Sequence, residues 1–212
     1  PQDIDAHIYS SQVAEGLSKD LEAWKALQPA INLLASSKDS EKLESMLLKQ
    51  LELGESSKDE ATHLAAMELY LAKSTKRTKT YEVQYQKTKK AYDANNYKLA
   101  SQEFKKLALD KAGSAQLRKQ SADLALDSLV LLKNEAALVS WAKEFAIVFK
   151  DRAQDFNRIV QKSILTRTAQ LADNNQEEAY KTLVQFDSTQ ADSEDKIKYL
   201  KNKLILAEQL RK

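Results

Sequence analysis

The 212-residue chain contains no cysteine, which excludes disulfides, thiolate zinc sites and thiol catalysis. Glycine and proline are scarce, with 3 and 2 copies. Average usage would give about 15 and about 11 in a chain of this length. The tight turns of β proteins draw on those two residues, so their shortage argues against strands. Long apolar runs are missing too. The runs are short, such as Leu129–Leu132 and Ala146–Phe149, far below the roughly 18 residues of a membrane span. Nor does one sign of charge prevail. Lys and Arg number 33, Asp and Glu 31, and the net charge is +2. That balance gives no global pull toward nucleic acid or anionic lipid.

Ala, Leu, Lys, Glu and Gln dominate, and all are strong helix formers. With 42% hydrophobic residues to build a core, the chain reads as a folded, soluble, all-α protein. The lack of cysteine fits cytoplasm and periplasm equally. The chain opens on Pro1 rather than Met, as a mature or trimmed chain would, which leaves room for an upstream signal peptide or lipid anchor.

Caps and apolar periodicity locate the helices. A first long helix is expected from about Ser10 to Ser36, with Leu17, Leu21, Trp24, Leu27, Ile31 and Leu34 as its buried stripe. Pro29 would kink or split it. Asp39 or Ser40 caps the next helix, which carries Leu43, Leu47 and Leu51 to a left-handed cap at Gly54. Ser57 and Glu60 fit a capping box for the helix with Leu64, Met67 and Leu71. The Thr-rich segment Lys73–Thr80 then breaks the pattern.

From Thr80 the pattern becomes regular. A helix with Tyr81, Tyr85, Thr88 and Tyr92 turns at Asn95-Asn96 into one with Ala100, Phe104 and Leu107. After Asp110–Ser114, a helix with Leu117, Leu124 and Leu131 turns at Lys133-Asn134 into one with Leu138, Trp141, Phe145 and Val148. A helix starting at Asp151, with Phe156, Ile159, Val160, Ile164 and Leu171, turns at Asn174-Asn175 into one with Ala179, Leu183 and Phe186. A last helix, about Asp192–Leu210, holds Ile197, Leu200, Leu204 and Leu210.

Asn96, Asn134 and Asn175 align as turn residues, 38 and 41 residues apart. Four residues after each stands Ala100, Leu138 or Ala179; eleven after each stands Leu107, Phe145 or Phe186; four before each stands Tyr92, Val130 or Leu171. A single amphipathic hairpin cannot bury its apolar face alone, but stacked hairpins bury it against one another. Asn suits the turn because it tolerates left-handed backbone and caps the following helix. The expected fold is therefore a series of stacked antiparallel helix hairpins forming an α-solenoid. Residues 1–75 are a divergent N-terminal helical region or cap. Residues 76–212 are the hairpins, closed by a capping helix whose polar face turns to solvent.

Tyr97, Ala100 and Phe104 resemble the second-helix pattern of a tetratricopeptide repeat, an Ala-x-x-x-Phe preceded by an aromatic residue. Ala179 and Leu183 occupy the same places in the third unit, and Ala137 and Trp141 do so in the second with a one-residue shift. The Leu-Gly pair of the family's first helix is absent, Ala112-Gly113 stands where a Pro would close the repeat, and the spacing exceeds 34 residues. The resemblance covers roughly residues 78–187. It implies a tetratricopeptide-like solenoid with a groove lined by the first helix of each pair.

Two histidines, His7 and His63, lie far apart. His63 has Asp59 and Glu60 one turn away, but a metal site would need further ligands; a solvated polar-face role fits it better. There is no His-Glu-x-x-His, Gly-rich phosphate loop or Gly-x-Ser-x-Gly, so the sequence calls for no cofactor, no metal and no catalysis. The local anomaly is basic. Lys73, Lys76, Arg77, Lys79, Lys87, Lys89 and Lys90 lie close together against one acid, Glu82, with Tyr81 and Tyr85 among them. Such a stripe suits a partner surface for acidic peptide, nucleic acid or anionic lipid. The plainer reading buries the tyrosines in a seam beneath a solvated basic face. Trp24, Trp141 and Phe104 lie on apolar stripes as core residues or peptide anchors.

The first expectation is a non-catalytic scaffold that binds a protein partner. The alternatives are nucleic-acid or anionic-surface binding through residues 73–90, and a structural subunit of an envelope or motility assembly. No residue names the partner or sets the oligomeric state.

Overall fold

Helix-forming composition and side-chain caps give eleven α-helices and no strand among residues 4–209, which the computed structural model describes. They are α1 (Ile4–Gly16), α2 (Asp20–Ala35), α3 (Ser40–Ser56), α4 (Glu60–Lys73), α5 (Thr80–Asp93), α6 (Tyr97–Leu109), α7 (Ala115–Leu131), α8 (Glu135–Val148), α9 (Ala153–Ala172), α10 (Gln176–Leu183) and α11 (Ser193–Gln209). The chain divides into two compact units, Pro1–Asp93 and Ala94–Lys212. The division follows α5, whereas the sequence-based boundary at residue 75 precedes it. Within each unit every helix packs on its neighbour in sequence. This is the nearest-neighbour pattern of a helical solenoid.

In the first unit, α2 supplies Leu27, Ile31 and Leu34 to a core completed by Leu43, Leu47 and Leu53 of α3, Met67 and Tyr70 of α4, and Val83 of α5. The expected single long helix is two helices. The break lies at Leu17–Lys19, not at Pro29, which sits inside α2. Ser18 takes a left-handed φ of 57°, so α1 folds back on α2, and the Ser11 hydroxyl donates to the Ala23 carbonyl at 2.8 Å. Leu17, assigned by periodicity to the buried stripe, is exposed at that break.

Two cap assignments also change. Gly54 is no left-handed cap: α3 continues to Ser56, and no glycine has a positive φ among the described residues. Ser57 does not open a capping box. Its hydroxyl donates back to the Gly54 carbonyl, and Asp59 caps α4 by accepting from the Thr62 amide at 2.8 Å. Gly54 instead lets α4 approach, since a Cβ there would lie 2.8 Å from the Ala66 Cβ. Gly54→Ala is therefore expected to destabilise the first unit. Overpacking of about 1–3 kcal/mol opposes a helix-propensity gain of about 1 kcal/mol. A Cβ on Gly16 would meet nothing within 4 Å, so Gly16→Ala should be neutral or stabilising by about 0.4–1 kcal/mol. Urea denaturation of the two variants beside the parent chain checks the pair; equal effects would remove the close-approach explanation.

In the second unit the turn asparagines cap as expected. Asn96, Asn134 and Asn175 accept from the amides of Leu99, Ala137 and Glu178, each three residues on. The left-handed residue is the one before the cap in two turns, Asn95 at 62° and Lys133 at 54°. The register holds downstream of the caps. Ala100, Phe104 and Leu107 are buried, as are Ala142 and Phe145, and Ala179, Leu183 and Phe186. Upstream it fails in the second repeat, where Val130 and Leu131 are exposed. The buried face of α7 is Ser121, Ala122, Ala125, Leu126, Ser128 and Leu129. Small side chains there let α6 pack closely, and they contribute little to an apolar periodicity.

Candidate interaction site

The segment between α4 and α5 carries the basic cluster, and a buried carboxylate shapes it. Glu44 of α3 is buried. It accepts from the hydroxyls of Tyr70 at 2.7 Å, Ser74 at 2.6 Å and Thr78 at 2.5 Å, and from the Thr78 amide. Burial alone would raise the Glu44 pKa; the donors from Ser74, Thr78 and Tyr70 outweigh it and hold the carboxyl below its ordinary range. Tyr70 relays the network by accepting from the Lys79 amide at 2.8 Å, and Ser74 accepts from the Arg77 amide at 2.9 Å. Arg77 has a φ of 57°. The loop is thus pinned inward by uncharged groups, with Lys76, Arg77 and Lys79 exposed. Glu44, directly after Leu43, has no local signal in the sequence that sets it apart from the other acids of α3; only the fold brings the three hydroxyls to it.

Most of the basic cluster is matched by acids. Lys76 pairs with Glu41, Lys87 with Glu68 at 2.9 Å, Lys90 with Glu60 at 2.6 Å and Lys89 with Asp93. Lys73, Arg77 and Lys79 have no carboxylate partner among the described residues. Tyr81 is buried and Tyr85 half-buried, and burial raises the Tyr85 pKa. The stripe is therefore a partly neutralised helix face over a tyrosine seam, with three free cations concentrated around the loop.

The remaining polar candidates are tied up locally. Asp59 caps α4 and Glu60 pairs with Lys90, so neither is turned to His63 as a ligand. Burial, with Lys90 nearby, lowers the His63 pKa and favours the neutral ring. Among the described residues no group of three or more His, Asp or Glu is placed to hold a metal ion. Trp141 is half-buried, with the Lys105 ammonium 4.7 Å from its ring centre and paired to Glu144 at 2.7 Å. Phe104 is fully buried and belongs to the core.

Two concavities occur in the second unit. One of about 300 Å³ lies among α8, α9 and α10, lined by Glu135, Val139, Ser163, Arg167, Glu178 and Thr182. Ser163 donates to Glu135 there at 2.8 Å. The other, about 710 Å³, runs between α9 and α11 past Lys162, Thr166, Gln170, Asp195 and Asn202. Both are clefts between packed helices with mixed polar and apolar walls.

The terminal helix differs from expectation. Its outer face is not polar: Ile197, Leu200, Leu204 and Ile205 are exposed. The inner face buries Leu206 and Asp195 and stacks Tyr199 on Phe186 at 4.7 Å. No helix among the described residues is long and apolar enough to cross a membrane.

No protein-family model matches this chain, and neither a curated protein nor a solved structure shows significant similarity to it.

Proposed function

We propose that this chain is a non-catalytic protein-interaction module built from tetratricopeptide-like helical hairpins. The observation that carries the reading is the exposed apolar surface left on consecutively packed helices. Ile147 is 73% and Leu204 62% exposed, although α8 buries Ala142 and Phe145 and α11 buries Leu206. Stacked hairpins display such side chains over an extended surface, where a partner segment can dock. The ion pairing of Lys76, Lys87, Lys89 and Lys90 favours a protein partner over nucleic acid, because cations already matched by carboxylates release fewer counterions on binding phosphate.

The test is capture from native lysate on the immobilised chain at low and high salt, with protein and nucleic acid both identified. A discrete protein retained at high salt supports the proposal. Nucleic acid retained only at low salt transfers the function to the residue 73–90 stripe and removes the scaffold reading.

A further inference from the structure

Ile197, Leu200, Leu204 and Ala207 follow a three-four-three spacing along α11, and all four are exposed. That is the seam of a coiled-coil helix, which needs a second helix to cover it. The flanks are basic. Residues 196–203 hold four lysines and no acid. Lys198 is paired with Glu194 at 2.7 Å, while Lys196, Lys201 and Lys203 have no carboxylate partner among the described residues.

We infer that the outer face of α11 docks an amphipathic helix of a protein partner, one whose apolar seam is flanked by acidic side chains. This rests on the interaction-module reading and names the face and the chemistry. Charge complementarity selects the occupant. A second α11 would set Lys196 beside Lys203 if antiparallel, or beside Lys201 if parallel, and like charges at flanking positions oppose pairing. The exposed stripe of α1, with Tyr9, Val13 and Leu17, offers no free acid in compensation among the described residues. Asp5 is bonded to Lys42 at 2.7 Å and Glu15 to Lys49 at 2.5 Å. An anionic membrane is disfavoured because Glu208 lies four residues beyond Leu204 on the same face, and no aromatic ring stands among the exposed side chains of α11 to anchor at the lipid interface.

The test uses the full chain and two dye-labelled helical peptides of about three heptads, with Leu at the seam and Glu or Lys at the flanks. Anisotropy should show saturable binding of the Glu peptide, at least about tenfold tighter than the Lys peptide and weakening with salt. Leu200→Asp with Leu204→Asp should abolish it without loss of helicity, since both side chains are 62% exposed. Lys196→Glu with Lys203→Glu should invert the preference. Equal binding of both peptides, or of neither, overturns the inference. A concentration-dependent mass that disappears in the leucine variant assigns the face to a second copy instead. Binding to phosphatidylcholine–phosphatidylserine vesicles in preference to the Glu peptide assigns it to lipid. If the leucine variant still captures a salt-resistant protein from lysate, the docking face is wrong and the interaction module stands; if the parent chain captures none, the module itself falls.

Discussion

Phe145→Ala is expected to cost the second unit about 3–5 kcal/mol, the range for truncating a buried aromatic residue. Phe145 is fully buried, and its ring centre lies 6.0 Å from Phe149 and 5.8 Å from Phe156. The cluster joins the end of α8 to the start of α9. Two guanidiniums close it: Arg118 of α7 lies 5.4 Å from the Phe149 ring centre, and Arg152 lies 5.1 Å from that of Phe156. Arg152 is itself held by both carboxylate oxygens of Asp123 at 2.9 and 2.8 Å. Truncation leaves a cavity that those fixed groups cannot fill by collapse. Urea denaturation should show the loss as a lower midpoint, and Phe145→Leu should recover part of it. A loss below about 1 kcal/mol would mean that the site relaxes freely.

Glu44→Ala is expected to destabilise the first unit by about 3 kcal/mol. Three hydroxyls and an amide lose their common acceptor, and each buried donor left unpaired costs about 1–3 kcal/mol unless water reaches it. The same carboxylate makes the unit acid-sensitive. Its pKa is held below the ordinary glutamate value in the folded chain. Its contribution is thus complete above the unfolded-state pKa and is lost as pH falls through the lower folded-state value. Denaturation midpoints measured from neutral pH downward should fall more steeply for the parent chain than for Glu44→Gln. Parallel curves would show that Glu44 does not carry the acid sensitivity. Protease cleavage within residues 74–79 should also quicken in Glu44→Ala, because Ser74 and Thr78 lose the acceptor that pins the loop.

Much of the second unit was legible because its signals are local. An Asn that caps a helix acts on the amide three residues on, so Asn96, Asn134 and Asn175 could be aligned before any packing was known. Ala100 with Phe104 and Ala179 with Leu183 follow from spacing alone. The second repeat shows the limit. A one-residue shift to Ala137 and Trp141 preserves the family pattern, but the buried pair is Ala142 and Phe145, in register with the asparagine. The small side chains of α7 carry little weight in hydrophobic periodicity, which ranks Leu131 above Ser121 or Ala125, although close helix contact favours the small residues.

The first unit was less legible because its decisive features are long-range. The break at Ser18 lacks Pro, its local signal is the single Gly16 that ends α1, and it is held by α1 packing back on α2. Gly54 resembles a helix terminator in sequence, yet α4 uses it as a contact point. Three of the four ion pairs on the basic stripe join residues 19 to 35 positions apart, such as Lys87 with Glu68 and Lys76 with Glu41, and one, Lys89 with Asp93, is local. A count of local charge could find the cluster but not its partners.

On the proposed function, a protein partner is held on packed helical surface and not on the basic loop. Reversing the three unpaired cations, Lys73→Glu with Arg77→Glu and Lys79→Glu, tests it most directly. Quantitative capture of the same partner at physiological salt should be unchanged within about twofold, since charges outside the docking surface are screened from it at that ionic strength. Loss of capture in a variant that keeps its helicity and its urea midpoint would contradict the claim and place binding on the loop between α4 and α5.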